Sequence, residues 1–467
     1  MSKYNRRTFL QLTGTAVGAA TLGAGNATAR ESESRFFINL RDVERSAIPD
    51  DVEIIHDLSQ ADVLVARGDQ NSVNGTTVSD LTIDLSDDTT GAVESRDGPS
   101  TDGKGSSHNH DGAPANSEYQ WDKRVQDLNN DLTDKPGGGK SVHDVTTGAG
   151  TRIAVVDSGV DDSHPDLAGV VNDDLSENVS EDEFDFRPNG AGSHGTHVAG
   201  TIAATNSNDA PGGGVLGTAP DTEIVSYRMF SGVEGKQGDG YAAWVKATEA
   251  GCDAINYSVG FPAPYVYPDQ YPSLLEELRI AEQVAEYVRS QGTVIVNSAG
   301  NDGLDMSPES TLSLPTEAEG VFGVSATGPI GCGWGDKHSD NEEKWLTGNR
   351  LEEPTTQPAF YTNYGSAVDI SAAGGNADLE ALDADVEGAQ IDLVYSTIPG
   401  GYGWKAGTSM AAPQVSGAVA LVRSLRPDAS VEEVESLIEE TASTPEEGEV
   451  YHGAGHLDLT ALVDAAR

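Results

Sequence analysis

Thr151-Arg152-Ile153-Ala154-Val155-Val156-Asp157-Ser158-Gly159 decides the fold. The apolar centre, Ile153 to Val156, reads as a buried strand, and the strand delivers Asp157 at its C-terminal end. Similar runs follow: Glu223-Ile224-Val225-Ser226-Tyr227, Ala254-Ile255-Asn256-Tyr257 and Thr293-Val294-Ile295-Val296-Asn297-Ser298. Helical stretches lie between and after them, at residues 196–205, 241–250, 274–290 and 417–425, the last continuing a helix that begins at Ser409. Strands alternating with helices predict a parallel sheet covered on both faces. In such sheets the chemistry collects at the C-terminal ends of the strands. Asp157, Ser258 and Asn301 each follow a strand and so fall on that edge.

Acyl transfer by a hydroxyl needs a nucleophile, an imidazole to take its proton, and a carboxylate to orient the imidazole. Three segments supply these in the order Asp, His, Ser. They are Val155-Val156-Asp157-Ser158-Gly159-Val160, His194-Gly195-Thr196-His197-Val198-Ala199-Gly200 and Gly407-Thr408-Ser409-Met410-Ala411-Ala412-Pro413. Ser409 is placed at a helix start, where the dipole and free N–H groups favour developing negative charge. Gly407, Ala411 and Ala412 let substrate and backbone approach closely. Pro413 suits a first helical turn, which needs no N–H donor. A Ser in an isolated Gly-Thr-Ser would be a helix cap; within the longer match it reads as the nucleophile. His194 is the general base and then the acid for the leaving amine. Asp157 orients it. His197 has no third ligand placed to complete a metal site and reads as a structural, hydrogen-bonded residue.

These motifs resemble those of the subtilase family of serine proteases, and the resemblance runs from about Tyr119 to the C-terminus. It implies an α/β fold: a subtilisin-like three-layer domain with a parallel sheet, preceded by a small α/β propeptide-like module. It also implies hydrolysis of polypeptides through an acyl-enzyme intermediate with broad specificity and no cofactor for catalysis. Asn301, in Ser298-Ala299-Gly300-Asn301-Asp302-Gly303, fits the family's oxyanion-hole asparagine, donating beside the Ser409 backbone N–H. Ser258-Val259-Gly260 looks like the segment that pairs with an extended substrate backbone. Ser298, Ala299 and Gly300 would line the first specificity pocket. Asp166, in His164-Pro165-Asp166-Leu167, matches a calcium ligand. Asn206, Asn208 and Asp209 offer oxygen ligands in the loop 205–214, which is longer than the family's usual form; a solvated polar loop is the alternative. Gly453-Ala454-Gly455-His456-Leu457-Asp458 resembles the family's closing segment. Residues 333–357 and 375–393 read as surface insertions.

Composition narrows the setting. The chain has 467 residues with 76 acidic against 28 basic side chains, a formal charge of −48. A polyanion repels nucleic acid and anionic lipid, so neither is expected as a partner. The acid is interleaved with core-like runs, which a disordered acidic chain would lack. A salt-adapted surface is the reading, stable where charge is screened over a few ångströms, and the resemblance extends to secreted subtilases of halophilic archaea. Cys252 and Cys332 have no zinc or redox spacing and are expected as free thiols, because the ends of different parallel strands lie too far apart for a disulfide. A monomer is expected.

Residues 1–29 read as an export signal rather than as part of the fold. Asn5-Arg6-Arg7-Thr8-Phe9-Leu10-Gln11 matches a twin-arginine signal, and Ala27-Thr28-Ala29 a cleavage site, which predicts an extracellular protein. The weakly apolar stretch between them is too short to span a membrane. Residues 30–85 hold strand-like runs at 36–40, 52–55, 63–66 and 81–85. The resemblance to subtilases implies that a segment in this position is a propeptide that aids folding and covers the active site; an unrelated N-terminal extension is the alternative. Residues 86–118, rich in Asp, Ser and Gly, read as a linker open to self-cleavage, and residues 119–467 as the peptidase domain. A catalytically inactive, peptide-binding relative is the main alternative, and an esterase using the same triad is a third; no Gly-x-Ser-x-Gly elbow holds Ser409.

Overall fold

The computed structural model describes residues 34–84, 119–129, 140–190, 192–206, 213–260, 273–307, 312–329, 356–377, 389–445 and 448–467. The expected signal (1–29), the linker (86–118), Cys332 and the insertion at 333–357, all but its last two residues, lie outside them.

The N-terminal module consists of β1 (Ser34–Asn39), β2 (Glu53–Leu58), β3 (Val63–Gly68) and β4 (Thr77–Ser79), in the antiparallel order β2-β3-β1-β4. The strand-like runs predict a small α/β or mostly β module, and the structure has the second form. Among the described residues of 34–84 there is no α-helix, only three-residue 3-10 turns at Arg45–Ala47, Ser59–Ala61 and Gln70–Ser72. The β2–β3 connection, residues 59–62, is too short for a helix, Pro49 interrupts the longer β1–β2 connection, and the Asp69 cap opens only a 3-10 turn. The fourth predicted run, 81–85, is β5 (Thr82–Asp84), which leaves the module's sheet altogether; β4 lies outside the predicted runs.

Beyond α1 (Trp121–Arg124) the larger domain runs through β6 (Arg152–Asp157), β7 (Glu177–Asn178), α2 (His194–Ala203), β8 (Glu223–Arg228), β9 (Phe230–Ser231), β10 (Glu234–Lys236), α3 (Gln237–Glu249), β11 (Ala254–Tyr257), α4 (Ser273–Ser290), β12 (Val294–Ser298), β13 (Phe322–Thr327) and β14 (Ile370–Ala373). It closes with the hairpin β15 (Val394–Ile398) and β16 (Gly401–Lys405), then α5 (Thr408–Leu425), α6 (Val431–Glu440) and α7 (Leu459–Ala466). Seven strands form one parallel sheet in the order β14-β13-β12-β11-β6-β8-β7.

Strand side chains alternate between its two faces. Ile153 and Val155 join the core beneath α2 and α5. Ala154 and Val156 join the core beneath α3 and α4. The module completes the second core: Phe37, Val63, Val65 and Val78 from one side of its sheet pack there, while Phe36, Ile38, Leu64 and Ala66 from the other side form a small core of their own. Residues 375–393 are not wholly a surface insertion. Ala377, Ile391 and Leu393 are buried in the main core, because apolar side chains flank the polar middle. Cys252 is free and buried, and burial pushes its thiol up to about 12. Among the described residues no helix is long and apolar enough to cross a membrane.

Candidate active site

Asp157 ends β6 and His194 opens α2, so the sheet edge and a helix N-terminus meet. Both Asp157 carboxylate oxygens lie 2.9 Å from His194 Nδ1, and both side chains are buried. A carboxylate on Nδ1 holds the proton there and leaves Nε2 as the base. Backbone packing sets this geometry. A Cβ at Gly195 would sit 2.5 Å from the Gly159 carbonyl and 3.1 Å from Asp157 Cβ, so glycine after the histidine is required for α2 to approach β6. Gly195 N–H also donates to Ser158 Oγ at 2.9 Å.

Ser409 occupies the first turn of α5, as the sequence predicts. Its hydroxyl donates to the Ser258 carbonyl at 3.3 Å, and Ser258 Oγ donates back to the Ser409 carbonyl at 3.0 Å. Pro413 explains why that carbonyl is free. It lies inside α5 rather than in the first turn, and its missing N–H is the one that would have bonded Ser409. The proline therefore opens the helix ladder at the nucleophile, and Ser258 takes the place. Asn256 Nδ2 donates to Ser258 Oγ at 2.9 Å, and Ser416 Oγ to Asn256 Oδ1 at 3.0 Å. The expected substrate segment is thus also a brace for Ser409.

Asn301 lies past β12, close to α5. Its Oδ1 accepts from Thr408 N–H at 2.8 Å and from Thr408 Oγ1 at 3.0 Å. That fixes the amide with Nδ2 as the outward donor, as an oxyanion hole requires. Val259 and Gly260 follow β11 directly. Asn297 Nδ2 donates to the Tyr257 and Val259 carbonyls at 2.6 and 3.0 Å, and Thr316 Oγ1 donates to Asn297 Oδ1 at 2.8 Å. Ser298, Ala299 and Gly300 run alongside. Ser298 and Ala299 are buried, and Asn363 Nδ2 donates to the Ala299 carbonyl at 2.8 Å. Leu314 closes on the same place, since a Cβ at Gly260 would lie 3.4 Å from its carbonyl. The two segments expected at the substrate cleft are thereby brought together. Asn256, Asn297, Thr316 and Thr408 escaped the sequence reading. The signal for two of them was an asparagine near the end of an otherwise apolar strand.

His197 is structural. Its Nε2 lies 3.1 Å from the Val394 carbonyl and 3.2 Å from that of Gly403, which ties α2 to the hairpin. Burial holds it well below its ordinary value.

Asp166 is fully buried, with Oδ2 accepting from Val215 N–H and Tyr402 OH, each at 2.8 Å. Thr205 N–H donates to the Asp166 carbonyl at 3.0 Å. Next to it, Asn206 Oδ1 is buried with no hydrogen-bond partner, an orphan acceptor that fits an oxygen-seeking cation. Asn208 and Asp209 lie outside the described residues. Among the described residues no three His, Cys, Asp or Glu side chains gather as a metal cluster.

One further strand lies at this edge. β10 pairs antiparallel with β5, Gly235 opposite Ile83. It follows β8, whose Arg228 stands in register with Asp157. The N-terminal module thus adds a strand beside the catalytic edge.

Residues 148–456 match the family model described as the subtilase family. A thermophilic serine proteinase of Bacillus sp. (strain AK1) is 34% identical over 286 residues, which cover 60% of this chain and 54% of that protein. Subtilisin NAT of Bacillus subtilis subsp. natto is 30% identical over 322 residues, 68% of this chain and 66% of the relative. The chain therefore spans little more than half of the first relative's length and 66% of the second's. Among solved structures, an epidermin leader peptide processing serine protease from Staphylococcus aureus superposes with a TM-score of 0.68 at 19% identity, over 93% of this chain and 99% of that one. A protease from Pseudoalteromonas arctica gives 0.56 at 25% identity, over 75% and 98%.

Proposed function

The chain belongs to the subtilase family, and from that premise we propose that it is a secreted serine endopeptidase adapted to high salt. Asp157, His194 and Ser409 act as its triad. The observation that carries this reading is the buried Asp157 carboxylate on His194 Nδ1, at 2.9 Å from both oxygens.

In the reaction Ser409 turns from the Ser258 carbonyl to His194 Nε2 and gives up its proton. Its Oγ bonds to the scissile carbonyl carbon. Asn301 Nδ2 and the Ser409 N–H hold the oxyanion. The C–N bond then breaks as His194 passes the proton to the leaving amine. Water, deprotonated by His194, attacks the acyl ester and releases the acid and Ser409. An extended peptide pairs along Ser258-Val259-Gly260 and places one side chain against Ser298-Ala299-Gly300.

The module serves as folding aid and inhibitor; the β5–β10 pairing at the catalytic edge supports this. Chain leaving Asp84 starts from that edge, and self-cleavage falls within 86–118. A secreted protein that begins at Arg30 on N-terminal sequencing would exclude such processing. Arg6-Arg7 and Ala27-Thr28-Ala29 support export by the twin-arginine route, and the charge of −48 supports function in salt. A structural calcium belongs to the proposal, with Asp166 and Asn206 as ligands. It would neutralise a buried carboxylate and take no part in bond cleavage. Calorimetry that detects no calcium binding would remove it.

The deciding experiment compares wild type with Ser409→Ala on unfolded casein in multimolar salt. Loss of the nucleophile should cost about 10⁶ in kcat, a scale measured within this same family. Equal cleavage by both proteins would overturn the triad. No cleavage by processed, folded wild type would favour the inactive peptide-binding alternative.

A further inference from the structure

Lys123 is buried to 1% exposure in a chain with few basic residues. It sits on the short helix α1, which is itself pinned. Trp121 Nε1 donates to the Leu393 carbonyl at 2.9 Å, and the Gln120 amide bonds both ways to the Leu216 backbone, at 2.9 and 2.8 Å. The ammonium has three protons and spends each on a different part of the domain. It donates to the Thr201 carbonyl on α2 at 3.0 Å, to Thr218 Oγ1 at 2.8 Å and to Gln414 Oε1 on α5. Asp122 completes the cluster. Its Oδ2 lies 3.4 Å from the ammonium and accepts from Gln414 Nε2 at 2.7 Å, while its Oδ1 is buried without a hydrogen-bond partner.

We propose that Lys123, with Asp122, is a positioning pair that fixes α2 and α5 relative to each other, and with them His194 and Ser409. The proposal rests on the triad reading above. α2 carries the base and α5 the nucleophile, and Lys123 is bonded to both helices from a third element. Lys123 and Asp122 are each 1% exposed and so act through the helices rather than on substrate. Keeping a cation there is costly: burial pushes its amine down to about 8. An apolar side chain would fill the same space without that cost, but it could not bond two helices at once. Proton transfer between His194 and Ser409 depends steeply on their separation, about 10²-fold for 1 Å of misplacement.

The test uses Lys123→Met and Thr218→Val, the second removing one acceptor while keeping the side-chain shape. Four quantities are measured in molar salt: the rate at which a small fluorophosphonate labels Ser409, kcat and KM on a peptide anilide, and thermal unfolding to show that each variant is folded. Lys123→Met should slow labelling and kcat by roughly 10- to 100-fold with KM within about twofold. Thr218→Val should slow labelling by a few-fold. Labelling at the wild-type rate in folded Lys123→Met overturns the proposal. Should that variant not fold, wild-type labelling in folded Thr218→Val overturns it instead. A wild-type enzyme that is not labelled at Ser409 overturns the triad, and the positioning role falls with it.

Discussion

The two faces of the central sheet are covered differently. Beneath α2 and α5 the helix packing is small, and the buried Lys123 ammonium bonds to Thr201, Thr218 and Gln414. Ala203, Ala411, Ala412, Ala418 and Ala420 are all fully buried, and a Cβ at Gly200 would lie 2.1 Å from Thr397 Oγ1. On the other face α3 and α4 cover the sheet and are themselves covered by the module, with polar groups buried there. Glu277 is 1% exposed with both carboxyl oxygens lacking a hydrogen bond, and Gln237, Tyr241 and Tyr257 are buried polar side chains on the same side. Unsatisfied buried groups cost free energy, and water would relieve the Glu277 carboxyl. One face is finished for good by the peptidase domain. The other carries the module on its outer side, and under the processing proposed above that module would leave and expose these groups. Changes on the first face should therefore alter catalysis, and changes on the second should alter docking and stability.

The largest expected effect is at the charged seam under the module. Arg35 of β1 reaches Asp80 at 2.8 Å, Asp239 of α3 at 2.6 Å and Glu181 at 3.0 Å, and His56 Nε2 lies 2.8 Å from Asp239. Burial pushes the Asp80 carboxyl up to about 6 even with Arg35 beside it. Arg35→Met leaves Asp80 and Asp239 buried without their main counter-charge. That should cost about 3–5 kcal/mol, read as lowered thermal stability of the uncut protein in a Ser409→Ala background. The processed enzyme, in which the seam is gone, should keep its kcat. A matching fall in kcat would break the division between the faces.

On the catalytic face, Asn301→Ala should do the reverse. It removes the Nδ2 donor and lowers kcat by about 10²–10³, a figure that comes from a member of this family rather than from this geometry. The lost Thr408 bonds should cost stability only about 1 kcal/mol. Steady-state kinetics beside thermal unfolding separates the two effects. A large loss of stability with kcat near wild type would mean that Asn301 is a brace and not an oxyanion donor.

Much of this was legible in the chain. The apolar run ending at Asp157, the His194 helix and the Ser409 helix all lie where periodicity and spacing put them, because the parallel sheet buries both faces of its strands and leaves unbroken runs. The site's supports were less legible. Ser258 was read for its backbone, yet its hydroxyl braces Ser409, which depends on Pro413 standing four residues beyond and not in the first turn. Asn256 and Asn297 act across strands far apart in sequence, and no local pattern signals that. β5 read as one more strand of the module, but its partner is β10, a pairing set by how the module docks. Nothing in the sequence singles out Lys123, since a single basic residue in an acidic chain carries no periodic signal.

The smallest effect sharpens the comparison most, because it asks whether the polar face is strained while covered. Burial raises the Glu277 carboxyl well above its ordinary value, with the charge of Asp80 adding to it. A group whose value is raised on folding stabilises the fold fully below its unfolded value, near 4.5, and loses that contribution as pH rises toward the folded one. Glu277→Gln keeps the shape and removes the titration. In the uncut Ser409→Ala protein at constant molar salt, the variant should match or trail its parent near pH 4 and exceed it at neutral pH by about 1 kcal/mol or more, since each unit between the unfolded and folded values is worth about 1.4 kcal/mol. After the module is removed, water reaches Glu277 and the advantage should vanish. A stability curve parallel to the parent's at every pH would show that the covered face carries no such strain.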